Sequence, residues 1–281
     1  MKKPFFVLLA ICLGLGLFQS CHKDNPDDLS DMRHVQISNL YETFSNDIFK
    51  TFLYSVIAIN DSLYHPNDSA NFRINDSCIT LSVSANDTST WPKTLHIAFT
   101  SGGCMCNDGI VRDGEIDIEI PSAGFPNKSE FTINFLCTYS FPETVTINGY
   151  KKICTASSSG LFFTDTTYWE TWPVMNSFHW SANHTIQWVM GNSTHQNISD
   201  DLFIYNGTST CLPVPLAENE ELSFSTNIIE ALQFRNYCFW IGSGKVEVIP
   251  KGLSIRTVTY LDSCINQAIV TANNEYREIS F

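Results

Sequence analysis

Between Ser38 and Ile59 the apolar residues Leu40, Phe44, Ile48, Phe52 and Val56 recur at steps of four, with Tyr41, Phe49, Leu53 and Ile57 beside them. An α-helix turns once in 3.6 residues, so this spacing gathers the apolar side chains into one broad stripe. It predicts an amphipathic helix within residues 36–62, ended by Asn60-Asp61-Ser62, with its stripe packed on a sheet. The polar side carries Asn46, Asp47 and Lys50 and lacks the Lys/Arg excess of membrane-surface helices. After a polar stretch, Asn60–Asn75, the period changes to two. Ile79/Leu81, Leu95/Ile97/Phe99, Ile116/Ile118/Ile120, Phe131/Ile133/Phe135, Ile186/Trp188/Met190 and Val246/Val248 each read as the inward row of a strand. The chain ends in a predicted hairpin, Gln267–Ala272 and Tyr276–Phe281, joined by Asn273-Asn274, which tolerates the positive φ angles of a type I′ turn. Asn107-Asp108-Gly109, Asp113-Gly114, Asn148-Gly149 and Asn206-Gly207 read as further turns. Alternation with polar outer positions indicates antiparallel pairing. The expected fold is mainly β: an antiparallel sandwich, or a long twisted sheet curled over one N-terminal helix, spanning residues 72–281 with no internal repeat or domain boundary.

The first twenty residues follow a different pattern. Met1-Lys2-Lys3 precedes an apolar run from Phe5 to Phe18, then Gln19-Ser20 and Cys21. The run is shorter than the roughly 20 residues a membrane span needs and suits a signal-peptide core. Residues 1–20 resemble a bacterial lipoprotein signal sequence, which implies cleavage before Cys21 and lipid on that cysteine. Phe18 departs from the pattern, which favours a branched aliphatic residue at that place. The reading implies a protein anchored through acyl chains in the cell envelope, in the outer membrane or at the cell surface. Residues 21–35 are polar and acidic and would form a tether. Acidic residues directly after the cysteine also resemble the surface-export signal of Bacteroidota lipoproteins.

Charge and cysteine content sharpen that picture. The net charge of −13 rests on only 16 Lys plus Arg, so the chain lacks the basic footprint of a nucleic-acid binder. Beyond Cys12 and Cys21, eight cysteines remain: Cys78, Cys104, Cys106, Cys137, Cys154, Cys211, Cys238 and Cys264. An even number outside the cytoplasm points to disulfides, with the pairing left open. Cys104-Met105-Cys106 is tighter than the C-x2-C spacing of zinc knuckles, and no histidine pair has zinc-binding spacing, so no metal or cofactor is expected.

Two stretches resemble a family of uncharacterised Bacteroidota surface lipoproteins. Residues 106–118, CNDGIVRDGEIDI, resemble its C-x-D-G-x-x-R-x-G-x-I-x-V segment. Residues 238–248, 256–260 and 264–271 follow the family's C-terminal order, and Asn273-Asn274 stands where the family commonly has Asn-Gly. The middle, Lys151 to Asn219, matches poorly. The resemblance implies envelope location and β architecture, and no activity.

Two groups of residues carry candidate chemistry. Glu115, Asp117 and Glu119 read E-x-D-x-E, which resembles the catalytic strand of laminarinase- and lichenase-type glycoside hydrolases. Alternation places all three carboxyls on one face, but Glu115 and Glu119 lie about 13 Å apart at Cα. A retaining mechanism needs carboxyls about 5–5.5 Å apart, so both side chains would have to lean together. The same pattern is what a half-buried strand with a wet acidic face produces. The second group is aromatic: Tyr168, Trp169, Trp172, Phe178, Trp180 and Trp188. Trp169, Trp172 and Trp180 are the candidates for stacking on a sugar, against core packing, which takes most aromatic rings in β proteins. The sequence therefore points to a non-catalytic surface module, with membrane lipid and a glycan or envelope protein as partners. A glycoside hydrolase built on Glu115, Asp117 and Glu119 is the alternative.

Overall fold

The computed structural model describes residues 29, 31–60, 78–84, 90–106, 108–122, 130–140, 144–155, 162–171, 177–194, 198–214, 220–262 and 264–281. Cys21, residues 1–20, most of the tether, and Trp172 lie outside these.

One helix, α1 (Arg33–Asn60), precedes a run of strands. They are β1 (Ile79–Val83), β2 (Lys93–Phe99), β3 (Cys104–Met105), β4 (Val111–Ile120) and β5 (Glu130–Ser140). Next come β6 (Thr144–Thr155), β7 (Phe162–Thr171), β8 (Ser177–Met190), β9 (Leu202–Val214) and β10 (Phe224–Arg235). The last are β11 (Ser243–Pro250), β12 (Arg256–Tyr260), β13 (Gln267–Ala272) and β14 (Glu275–Ser280). All fourteen belong to one antiparallel sheet in which each strand pairs with the next, except that β2 pairs with β4 and β3 only flanks β4. The protein is thus mainly β with one N-terminal helix. Its local, hairpin-like connectivity explains how one sheet reaches this width without long crossovers.

The sheet curls around the helix. Every residue of α1 from Tyr41 to Val56 is buried. Contacts come from successive strands around its circumference. Phe52 meets Phe131 on β5, Phe49 meets Phe163 on β7 and Phe203 on β9, and Tyr41 meets Trp169 and Trp180 on β7 and β8. Between β10 and β11, Phe239 closes on Phe44. The helix is therefore enclosed on all sides, not laid by one stripe on a sheet. Its polar side is as buried as its apolar stripe: Glu42, Ser45, Asn46, Asp47, Lys50 and Ser55 are each at most 2% exposed. None of the described helices is long and apolar enough to cross a membrane.

An enclosed polar helix face needs polar partners on the wall, because a buried charge without one is costly. The middle strands supply them. Lys151, Asp165, Thr167, His184, Ser209 and Thr226 all face inward and are buried. These residues interrupt the apolar alternation, which is why β6, β7, β9 and β10 leave no clean period-two signal. Three expected turns also fall inside strands: Asp113-Gly114 in β4, Asn148-Gly149 in β6 and Asn206-Gly207 in β9. The glycines serve close approach instead. A Cβ on Gly149 would lie 2.6 Å from the Cβ of Trp169, and one on Gly207 would lie 2.1 Å from the carbonyl oxygen of Asn183. Met190, expected inward, is 53% exposed, beyond a register shift between Trp188 and Met190. The C-terminal hairpin follows expectation, with Asn273 and Asn274 at φ 50° and 68°.

Of the eight candidate disulfide cysteines, four are paired: Cys78 with Cys104 and Cys238 with Cys264. Cys106, Cys137, Cys154 and Cys211 are free thiols. Cys137 and Cys211 are buried, Cys137 within reach of the Asp47 and Arg112 charges, and burial pushes both thiols well above their usual range. They act as small apolar side chains.

Candidate functional site

The interior sets which side chains reach the surface. Arg112, inward on β4, donates from Nε to Asp47 Oδ2 at 3.0 Å and from one terminal nitrogen to Asp47 Oδ1 at 2.9 Å. It also donates to both oxygens of Asp108, at 2.8 and 2.7 Å. Burial opposes the guanidinium charge, but the two aspartates outweigh it and hold its pKa well above normal. A second cluster joins Lys151 to Asp165 and to Ser45 of the helix, and His184 to Glu42 at 3.2 Å. Burial works against the His184 charge, yet Glu42 and Asp165 raise its pKa to about 9. Lys50 donates to the carbonyl of Cys238 at 2.7 Å. Each cation sits against acceptors inside a closed wall. The arrangement fixes the helix in the sheet and offers no open side to a substrate.

Between these clusters Trp169 and Trp180 stack at 4.2 Å, both fully buried. Their faces are covered by one another, Tyr41 and Phe135. They therefore present nothing to a sugar, and the aromatic surface lies one residue away. Alternation turns Tyr168 outward because Trp169 turns inward. Tyr168 pairs across the strands with Tyr150, ring centroids 5.8 Å apart, and neighbours His179 at 5.9 Å. His179 Nε2 lies 3.0 Å from Glu170 Oε1, and the Tyr168 hydroxyl donates to the same oxygen at 3.3 Å. Contact with its neighbours, together with the Glu170 charge, raises the Tyr168 phenol pKa, so it remains a neutral donor.

The register places the acidic triplet on this same outer face. One transverse row runs His96, Asp117, Asn134, Tyr150, Tyr168, Ser181 from β2 to β8. The adjacent row runs Glu115, Leu136, Asn148, Glu170, His179. His96 Nδ1 is 2.7 Å from Asp117 Oδ1, so the tyrosine pair stands between two histidine–carboxylate pairs. Glu115 and Glu119 are exposed, one on each side of Asp117. At neighbouring strands about 4.8 Å apart, Asp117 and Tyr150 are separated by about 10 Å. The carboxylates thus share a face, as alternation requires, and that face is the outer wall of the sheet. A cavity of about 650 Å³ lies elsewhere, between the start of α1 and β14, beside Asp31, Arg33, Gln36, Arg277 and Glu278.

The outer face combines tyrosine rings with carboxylate, imidazole and amide groups that donate and accept hydrogen bonds. That suits noncovalent binding of a hydroxyl-rich ligand. No three His, Cys, Asp or Glu residues among those described are grouped to hold a metal. Tyr150 and Glu170 escaped sequence reasoning because β6 and β7 carry no clean apolar alternation, and Asn134 because the alternation of β5 marks it only as an outward polar position. The signal available was the parity of Tyr168 against Trp169. No family model, curated protein or solved structure matches the chain.

Proposed function

We propose that this chain is an extracytoplasmic β module, anchored to the cell envelope through lipid on Cys21, whose outer sheet face binds glycan. The observation that carries the binding part is the outward Tyr150–Tyr168 pair, Tyr150 exposed and Tyr168 half-buried, between His96–Asp117 and His179–Glu170. Aromatic faces stack on sugar rings, and flanking carboxylates and amides accept from hydroxyls. The test is a glycan array probed with the purified protein. Saturable retention that Tyr150→Ala and Tyr168→Ala each reduce by about tenfold or more supports the reading, since loss of a central aromatic contact costs upward of 1 kcal/mol. Retention indifferent to both changes removes this face as the site.

The anchoring part rests on the N-terminal pattern. Intact mass of native material tests it: acylated mass beginning at Cys21 is expected, and a full-length species with a bare thiol there defeats it.

A second reading, glycoside hydrolysis by Glu115 and Glu119 with Asp117 between them, draws on their shared face. It expects release of reducing sugar that Glu115→Gln abolishes. Both carboxyls stand exposed on the outer wall of the sheet and not in a water-excluded cleft, so binding is the preferred reading.

A further inference from the structure

We infer that the outer face selects an amine-bearing glycan, with the ammonium groups received by Glu115 and Glu170 and the sugar rings by Tyr150 and Tyr168. This rests on the glycan reading above and names the chemistry of its ligand.

The charge on the face points the same way at every step. Strands β2 to β8 present Glu115, Asp117, Glu119, Glu130 and Glu170 outward, against a single outward lysine, Lys152. Lys152 stands in a different row from the tyrosines, with Thr132 and Thr166, and lies 3.8 Å from Glu130. The row of Glu115 also holds Glu170, three strand spacings away, about 14 Å. The tyrosine pair lies in the next row, with Tyr150 on β6 between those two carboxylates and Tyr168 beside Glu170 on β7. A chain laid along the rows would therefore meet a carboxylate, then the ring of Tyr150, then the ring of Tyr168 and the second carboxylate side by side. A cation over a tyrosine face gains attraction from the ring, and exposed carboxylates draw positive ligands by complementarity. Polyanionic glycans meet the opposite field, on a protein of net charge −13.

The experiment compares two probes with one backbone: chitosan oligosaccharide, which carries free amines, and its fully N-acetylated counterpart, which carries none. Binding of the purified protein to each is measured by calorimetry at low and at physiological salt. The expected result is about tenfold or greater preference for the free amine, shrinking as salt screens the carboxylates. The preference should vanish in a Glu115→Gln, Glu170→Gln double variant whose circular dichroism and Tm match the wild type. Glu115→Gln alone, away from the His179 pair, should halve the preference or more and guards against a folding defect at Glu170. Equal or weaker binding of the amine form, with other glycans still retained on the array, overturns this inference and leaves the glycan reading standing. An array with no retained glycan at all overturns both.

Discussion

Asp47 on the central helix and Arg112 on β4 form a two-point ion pair, at 2.9 and 3.0 Å, in which both side chains are almost wholly buried. Tyr139 adds a third hydrogen bond to Asp47 at 3.1 Å, and the guanidinium lies over the rings of Tyr139 and Phe239. The pair ties the helix to its wall at one register. Removing Arg112 strands the carboxylates of both Asp47 and Asp108 in a low-dielectric interior, so Arg112→Met should cost about 3–5 kcal/mol. Adding Asp47→Ala to Arg112→Met should return part of that loss, because one of the two orphaned carboxylates goes with it. Guanidinium denaturation checks this through the midpoint at unchanged slope. A double variant less stable than the sum of its singles would refute the coupling.

The His184 cluster gives stability a direction with pH. The folded His184 pKa, about 9, exceeds its ordinary 6.5 because Glu42 and Asp165 outweigh burial. The folded state therefore holds a proton that the unfolded state releases first. Its contribution is complete below pH 6.5 and is lost as pH rises from 6.5 to 9, about 3 kcal/mol in all. Asp201 works in the same sense at lower pH. Burial raises its pKa to about 6, against hydrogen bonds from Tyr54 and Trp188, so stability falls as pH climbs from 3.8 to 6. His34 and Lys151, whose pKa values burial lowers, slope the other way, so the two contributions are read as differences in denaturation midpoint between wild type and variant from pH 4 to 9. His184→Gln should flatten the upper window and Asp201→Asn the lower. An upper window left unchanged by His184→Gln would contradict the assignment.

How far the sequence led depended on who partners the helix. Where the wall faces the apolar stripe, its strands carry uninterrupted Ile/Phe rows, such as Ile116, Ile118 and Ile120, and are legible from their period. Where it faces Glu42, Ser45 and Asp47, the wall needs Lys151, Asp165, His184 and Arg112, and the period disappears. The helix was legible as a helix, but its burial on all sides was not, because the partners of Asp47 and Glu42 come 65 to 167 positions later in the chain. The Trp169–Trp180 stack and the Tyr168 surface differ only by parity, which needs the strand to be recognised first. The acidic triplet was legible as one face. Which face, and that it continues into Tyr150 and Tyr168, required the register.

Tyr168 and Trp169 are neighbours in sequence and should respond oppositely to truncation. Trp169→Ala removes a fully buried indole from a stack and should cost about 3–5 kcal/mol. Tyr168→Ala removes a cross-strand ring pair on the outer face and should cost no more than about 1 kcal/mol. Thermal unfolding of both variants, read beside glycan retention, separates the two roles. The expected pattern is a destabilised Trp169→Ala protein and a stable Tyr168→Ala protein that no longer binds. A Tyr168→Ala protein as unstable as Trp169→Ala would mean the tyrosine belongs to the core.

Gly114 connects the interior pair to the outer face. It lies between Arg112, which points in, and Glu115, which points out, and it has φ +104°. That region suits glycine, and a side chain held there costs about 1–3 kcal/mol. A Cβ would also lie 2.0 Å from the carbonyl oxygen of Leu136 on the neighbouring strand, so β4 and β5 would have to part. Gly114→Ala should therefore lower stability by more than the backbone term alone. It should also disturb the row that holds Glu115 opposite Leu136 and Asp117 opposite Asn134, since a one-residue slip turns outward groups inward. Hydrogen exchange of the β4–β5 amides reads the register directly. Loss of protection confined to that pair is the expected outcome, and unchanged protection with unchanged Tm would show that the glycine is dispensable.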